Sequence, residues 1–205
     1  GRVESMRTTE FIDGGNYPDQ ESLRMMGLLS DMSAPPLLDT PGMMTGIWGG
    51  PLYMIADALG VELEGTRETY QRWGATEPVE FAFGRVEPGQ CAAHRAELAG
   101  IVDGEPRIVI DHVHRMFPEA GPDFPRPRLH AVHANRIEIA GEPCVEQESV
   151  FADRRTGEGN AGGCLATGMR AFNAIPAVVA AAPGILTPLE LPLIACRGGM
   201  RTSGR

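Results

Sequence analysis

Two histidines set two residues apart, His112 and His114, are the pair in this sequence best placed to act together. They lie in the run Ile108-Val109-Ile110-Asp111-His112-Val113-His114-Arg115, whose β-branched residues read as a strand. Alternate residues of a strand share a face, so both imidazoles point the same way. With Glu119 shortly after and His130 and His133 beyond the next loop, the pattern raises a metal site of cupin type. The glycines that flank such a pair are missing, and His130 and His133 would point to opposite faces of one strand, whereas three or four ligands must converge to hold a metal. The alternative reading is a sheet face that carries polar residues, with His114 and Arg115 as anion contacts.

A second group lies in Glu10-Phe11-Ile12-Asp13-Gly14-Gly15-Asn16-Tyr17, a strand end running into a glycine-rich turn. Strand ends that flow into loops commonly carry substrate groups, and Glu10, Asp13, Asn16 and Tyr17 offer carboxylates, an amide and a phenol. Asp and Asn also favour turns for purely local reasons. Trp48 is the candidate for an apolar wall. A third group, Thr156-Gly157-Glu158-Gly159-Asn160-Ala161-Gly162, contains a formal G-x-G-x-x-G ahead of a helix. A dinucleotide fingerprint follows a short apolar strand and is succeeded about 20 residues on by an acidic residue at the end of a second strand. Here the preceding strand alternates Glu146, Glu148 and Asp153 with apolar residues, and the later strand is missing. A weaker role survives: amides at a helix start attract anions, so Asn160, Gly162 and Gly163 could touch a cofactor held mainly by another domain.

Composition narrows what these groups can do. All 18 basic residues are arginine, which removes Schiff-base and other lysine chemistry. The net charge of -9 argues against nucleic-acid or anionic-membrane partners, which need a basic stripe. Four cysteines, at 91, 144, 164 and 196, form no C-x-x-C pair and read as reduced, mostly buried thiols. No uninterrupted apolar run reaches the roughly 18 residues of a spanning helix, and no signal peptide precedes the first strand, which makes a cytoplasmic location the expectation. No Ser-His-Asp or Cys-His order stands out.

The elements that must position these residues follow from periodicity and turn signals. At 205 residues and 42% apolar the chain suits one globular domain over 1–205. It opens directly in a strand over 2–12, as a start in mid-protein would. A short helix over 20–29 capped by Asp19, a Pro-rich loop over 33–41 and an amphipathic helix over 42–59 ending at Gly60 follow. Strands are expected over 61–73 and 79–86. Asp103-Gly104 then joins strands over 91–102 and 106–117, and Gly141-Glu142 joins strands over 128–139 and 144–153, two hairpins in tandem. A last helix over 163–182 must bend or end near Pro176, which has no amide hydrogen. The expected fold is α+β: an antiparallel or mixed sheet of five to six strands with helices on one face.

The run Arg170-Ala171-Phe172-Asn173-Ala174-Ile175-Pro176-Ala177-Val178, followed by Pro183-Gly184-Ile185-Leu186-Thr187-Pro188-Leu189-Glu190-Leu191-Pro192, resembles the end of 2,4-diaminopentanoate dehydrogenases and related dihydrodipicolinate reductase-like proteins. Trp48-Gly49-Gly50, Gly104-Glu105-Pro106 and Asp111-His112-Val113-His114-Arg115 fall in the order those proteins use. The resemblance implies a C-terminal domain that holds an amino or imino acid substrate and forms homo-oligomer contacts, while a separate N-terminal Rossmann domain binds NAD or NADP. The reductases place a His-rich motif and a lysine after the first strand of this domain. Residues 10–17 contain neither, so no residue is assigned a catalytic role and the diaminopentanoate branch is the nearer match. The rival classes are the cupin-type metal module and a pocketless, non-catalytic assembly domain.

Overall fold

The computed structural model describes residues 1–129 and 133–195. The order of elements is β1 (Arg2–Asp13), α1 (Gln20–Met25), a 3-10 turn (Leu37–Asp39), α2 (Met43–Leu59), β2 (Gly65–Gly74), β3 (Val79–Phe81), β4 (Gly84–Val86), β5 (Cys91–Val102), β6 (Glu105–Arg115), β7 (Ala134–Glu142), β8 (Val145–Ser149) and α3 (Gly159–Ala180). Six strands form a mixed sheet in the order β2-β5-β6-β1-β7-β8, in which β1 runs parallel to β6 and the remaining neighbours are antiparallel. This is the α+β sheet expected, with one arrangement that local signals do not encode: the first strand lies between the two hairpins.

The β5–β6 hairpin turns on Asp103-Gly104, both with positive φ, 52° and 74°, as a two-residue hairpin turn requires. The second hairpin departs from expectation. Gly141 and Glu142 remain in β7 because they pair with Val3 and Arg2 of β1, so the chain reverses beyond them, before Val145 pairs back to Ile139. The segment read as one strand over 79–86 is two three-residue strands paired apart from the main sheet. Helix α1 stops at Met25 rather than running to 29, since Gly27 and Leu29 take positive φ. Helix α3 begins at Gly159 and runs through Pro176 to Ala180; on this exposed helix, water can serve the carbonyl that the missing amide leaves free.

Helix α2 packs on one sheet face. Met44, Leu52 and Ala56 meet Ala96, Leu98, Ile108 and Ile110 in one buried cluster, with Trp48 and Ile55 at its margin. Gly60 ends the helix in the left-handed conformation its cap position favours. The first turn is held by Glu68 of β2, whose carboxylate accepts from the amides of Gly42 (2.9 Å) and Thr45 (2.7 Å). The other sheet face is ionic: Asp111, 1% exposed, accepts from Arg95 (2.8 Å) and Arg7 (3.0 Å), and both arginines also reach Glu97. Of the three described cysteines only Cys91 is buried; Cys144 and Cys164 are exposed, contrary to the expectation of mostly buried thiols.

Leu52 is fully enclosed, so Leu52→Ala is expected to lower the unfolding free energy by about 3 kcal/mol in urea titrations. Ile47→Ala, on the exposed side of the same helix, should change it by less than about 0.5 kcal/mol.

Candidate functional site

Strand register gathers the histidines. Glu10 of β1 pairs with His112 of β6 and with Asn135 of β7, Ile12 pairs with His114, and His94 of β5 pairs with His114. Directly paired residues share a face, so three imidazoles, a carboxylate and an amide lie side by side on the α2 side of the sheet. Beyond the start of α2 the same face opens into a cavity of about 820 Å³, lined by Glu10, Ile12, Tyr17, His114, Asn135 and Phe151 and roofed by Asn160, Gly163, Cys164, Thr167 and Arg170 of α3.

Glu10 Oε2 lies 3.0 Å from His112 Nδ1. That hydrogen bond, working against the cost of burial, holds the carboxyl below the usual range, so Glu10 is an anion at neutral pH. His112 is fixed from its other side by Trp48, whose ring stacks on it at 4.2 Å with 16° between planes. His94 is fully buried; burial, helped by His112, pulls its pKa down to about 3. Burial and the neighbouring His94 and His112 likewise hold His114 well below the ordinary histidine value. Burial raises the Tyr17 phenol above its ordinary value.

The sequence candidates separate. Glu10, Tyr17, His114, Asn160 and Gly163 line the cavity, whereas Asp13, Asn16, Trp48, Arg115 and Gly162 are not among its walls. Asp13 spends its carboxylate on the turn, accepting from the Asn16 side-chain amide at 2.6 Å and its backbone amide at 3.3 Å. Trp48 stacks behind His112 and is not the pocket wall expected of it. Arg115 is corrected most sharply: it alternates away from His114, to the opposite face. There its guanidinium donates to the carbonyls of Ala120 (2.9 Å), Phe124 (3.0 Å) and Pro125 (3.0 Å), away from the cavity. Sequence reading missed His94, Asn135 and Arg170, and weighed His133 only as a metal ligand. A signal for His94 existed only in the register opposite His114, two strands of one hairpin read together.

The glycine motif also proves to be something else. Glu158 caps α3, its carboxylate accepting from the amides of Asn160 (2.7 Å) and Ala161. The Asn160 side chain bonds His133 Nδ1 (3.0 Å) and the Asp13 carbonyl (2.9 Å). Gly162 is required by packing, because a Cβ there would sit 2.5 Å from the Ala152 backbone. An anionic cap on the first turn repels phosphate, so these residues do not fit a dinucleotide pyrophosphate. Among the described residues no three His, Cys, Asp or Glu side chains are grouped to hold a metal; His130 lies outside the described residues.

Comparison with known proteins adds the family. The sequence profile of the 2,4-diaminopentanoate dehydrogenase C-terminal domain matches residues 46–203. A Streptomyces virginiae protein described as "Amine dehydrogenase" is 36% identical over 193 residues, 93% of this chain and 53% of its own length. The amine dehydrogenase structure from Mycobacterium smegmatis superimposes with a TM-score of 0.66 at 16% identity, covering 96% of this chain and 53% of that one, a likeness of fold alone. The chain thus spans about half the length of both.

The buried neutral imidazoles have a thermodynamic consequence. The unfolded chain binds protons at His94 and His114 near the ordinary value of 6.5 that the folded chain refuses, so stability is complete above that pH and is lost as pH falls below it. Between pH 7 and about pH 5, where carboxylates do not yet titrate, the unfolding free energy should fall by up to about 2 kcal/mol per ring. Urea titrations at the two pH values check this, and the variant His94→Leu should have a shallower slope.

Proposed function

The chain belongs to the 2,4-diaminopentanoate dehydrogenase C-terminal domain family, and from that membership we propose that it is the substrate-side half of an NAD(P)-dependent amine dehydrogenase. The observation that carries the reading is the cavity itself: an anionic carboxylate, Glu10, at the floor of a mainly apolar pocket. A substrate bearing a primary ammonium group places that group on Glu10, which accepts its hydrogen bonds as a charge-assisted pair. Ile12, Met26 and Phe151 enclose the carbon skeleton, Tyr17 offers a neutral phenol at the side, and Arg170 of α3 reaches a carboxylate on substrates that have one. For reactions of this class the nicotinamide supplies the hydride chemistry while the protein orients substrate and charge. With Glu158 closing the α3 start, the dinucleotide falls to the remaining half of a longer protein.

Two further readings weigh against this one. A cupin-type metal module needs converging ligands, which the described residues do not group. A pocketless assembly domain is opposed by the cavity. Self-association remains part of the proposal: part of the sheet face opposite α2 is ionic and part is covered by Phe124, and the apolar surface is on α3, where Leu165, Met169, Phe172 and Val179 are all at least 40% exposed. At 22 residues α3 also meets the length and composition of a spanning helix. Its first turns wall the pocket, and Asn160 within them is buried and bonded to the sheet, so we assign its apolar side to a protein contact.

In the full-length protein, oxidation of primary amines with NAD+ or NADP+ should be measurable by nicotinamide absorbance. Glu10→Gln should lower kcat/KM at least tenfold, about 1.4 kcal/mol, with the melting temperature little changed. Equal activity in the variant would remove Glu10 from the site. The 205-residue chain alone should give no calorimetric signal with micromolar NADH or NADPH, and tight binding there would overturn the division of labour.

A further inference from the structure

Trp48 is no part of the cavity wall, yet only His112 separates it from the carboxylate on the cavity floor. Its position is fixed from two sides. The amides of Gly42 and Thr45, at the start of α2, donate to the Glu68 carboxylate of β2, which pins the helix to the sheet one turn ahead of Trp48. The indole also packs at the margin of the buried cluster that Met44, Leu52 and Ala56 form with β5 and β6. Held there, it lies over β6 and stacks on the His112 ring at 4.2 Å between centroids, with 16° between planes.

His112 has little else to hold it. Its Nε2 is buried without a hydrogen-bond partner among the described residues, and its Nδ1 faces Glu10 Oε2 at 3.0 Å. A ring with one polar contact turns readily about its terminal side-chain bond, whose energy wells are broad, unless a second surface sets its plane. The flat face of Trp48 is that surface. Either charge on His112 serves, because Nδ1 carries a proton in the cation and in one neutral tautomer. Glu10 needs the restraint in turn, since its side chain is 36% exposed and opens onto a cavity of about 820 Å³. His114, His133 and Tyr17 also face Glu10, and Arg170 stands in the roof, but among the described residues His112 alone lies within ion-pairing distance of the carboxylate. A misplacement of about 1 Å at a binding group can cost roughly a hundredfold in rate.

We propose that Trp48 and His112 are positioning residues for the amine: Trp48 sets the plane of the His112 ring, and His112 holds Glu10 Oε2 so that the other carboxylate oxygen stands open to the substrate's ammonium group. The assignment rests on the amine dehydrogenase reading above and extends it to a residue outside the cavity. It also fixes the sign of a pH effect. In the wild type the His112 contact outweighs burial and keeps the Glu10 carboxyl below its ordinary value. When Trp48 is lost the ring tilts, the contact weakens, and burial, which disfavours the charged form, takes a larger share. Glu10 then takes up its proton at a higher pH and presents no charge to an ammonium group, so the acid limb of activity moves upward.

Carboxyl carbon resonances followed by NMR through a pH titration of the chain read this arrangement directly. Trp48→Leu and His112→Leu should each raise the Glu10 midpoint by about half a pH unit, or threefold in proton affinity. Trp48→Phe, which keeps a flat face, should restore most of the wild-type value. Trp48→Leu added to His112→Leu should shift nothing further, since the indole acts through the imidazole. Leu52→Ala, which weakens the same cluster, should leave the midpoint in place. Trp48→Met replaces Trp48→Leu should that variant not fold. In the full-length protein Trp48→Leu should raise the KM for amine about fivefold, with the KM for NAD(P)+ unchanged and the acid limb displaced upward as the midpoint is. An unshifted midpoint in Trp48→Leu, no recovery in Trp48→Phe, an equal shift in Leu52→Ala or a further shift in the double variant each overturns the proposal. If the wild-type enzyme oxidises no amine, the functional reading fails, while the titration still decides whether Trp48 positions Glu10.

Discussion

The double pairing of β1 is the constraint on which the rest of the molecule depends. Lying between β6 and β7, this strand bonds parallel on one side and antiparallel on the other. It thereby joins the three strands β2-β5-β6 to the β7–β8 hairpin, which as a two-stranded ribbon would be marginal alone in water. Its register sets both faces at once. Glu10 comes opposite His112 and Asn135 on the cavity side, while Arg7 and Thr9 face the ionic side with Asp111. A slip of one residue would exchange the faces, driving Glu10 toward Asp111 and Glu97 and Arg7 into the apolar cluster beside Ile108 and Ile110. Like charges would meet on one side and a cation would be buried unpaired on the other. The charges that resist this slip thus specify the register as well as the site.

The two faces treat buried polarity in opposite ways. On the ionic face Asp111 is enclosed but fully partnered by two guanidinium groups. On the cavity face His94 and His114 are enclosed and held neutral, with ring atoms left open. Partnered charges tolerate burial because hydrogen bonds replace water; ring nitrogens left without a partner instead cost stability. Stability for this comes from next door. The α2 cluster of Leu52, Met44, Leu98 and Ile110 adjoins the histidines on the same face, with Trp48 at the boundary between apolar core and polar floor.

Local signals in the sequence sufficed where the physics is local. Asp103-Gly104, the Gly60 cap, the Asp19 cap and the period-two run over His112 and His114 each act within a few residues, and each element appears where that signal stands. Failures occurred where a distant partner decides. Gly141-Glu142 has hairpin chemistry, yet β1 claims both residues as strand. Gly157 to Gly162 has the spacing of a phosphate loop, yet Glu158 occupies the amides and Ala152 explains Gly162. Arg115 and His114 are neighbours in sequence, and alternation sends them to opposite faces with unrelated tasks. Of the cavity residues, Glu10, Tyr17 and His114 were legible because they sit at strand ends. His94 was not, since a lone histidine in an alanine-rich strand gains meaning only when the hairpin register sets it against His114.

Helix α3 links the pocket to whatever covers the molecule. It is anchored at its first turns, where Asn160 ties Asp13 to His133 and Gly163 lies against His133, and its next turns form the cavity roof. Further along, Phe172, Ile175 and Val179 are more than half exposed, so little in the described residues restrains that end. Burial of its apolar far end, at about 25 cal/mol per Å² of surface removed from water, would set the height of Thr167 and Arg170 above Glu10. In the assembly proposed above, cover of that end and the shape of the cavity would be one mechanical problem. That coupling gives a reason for so apolar a helix to wall so polar a floor.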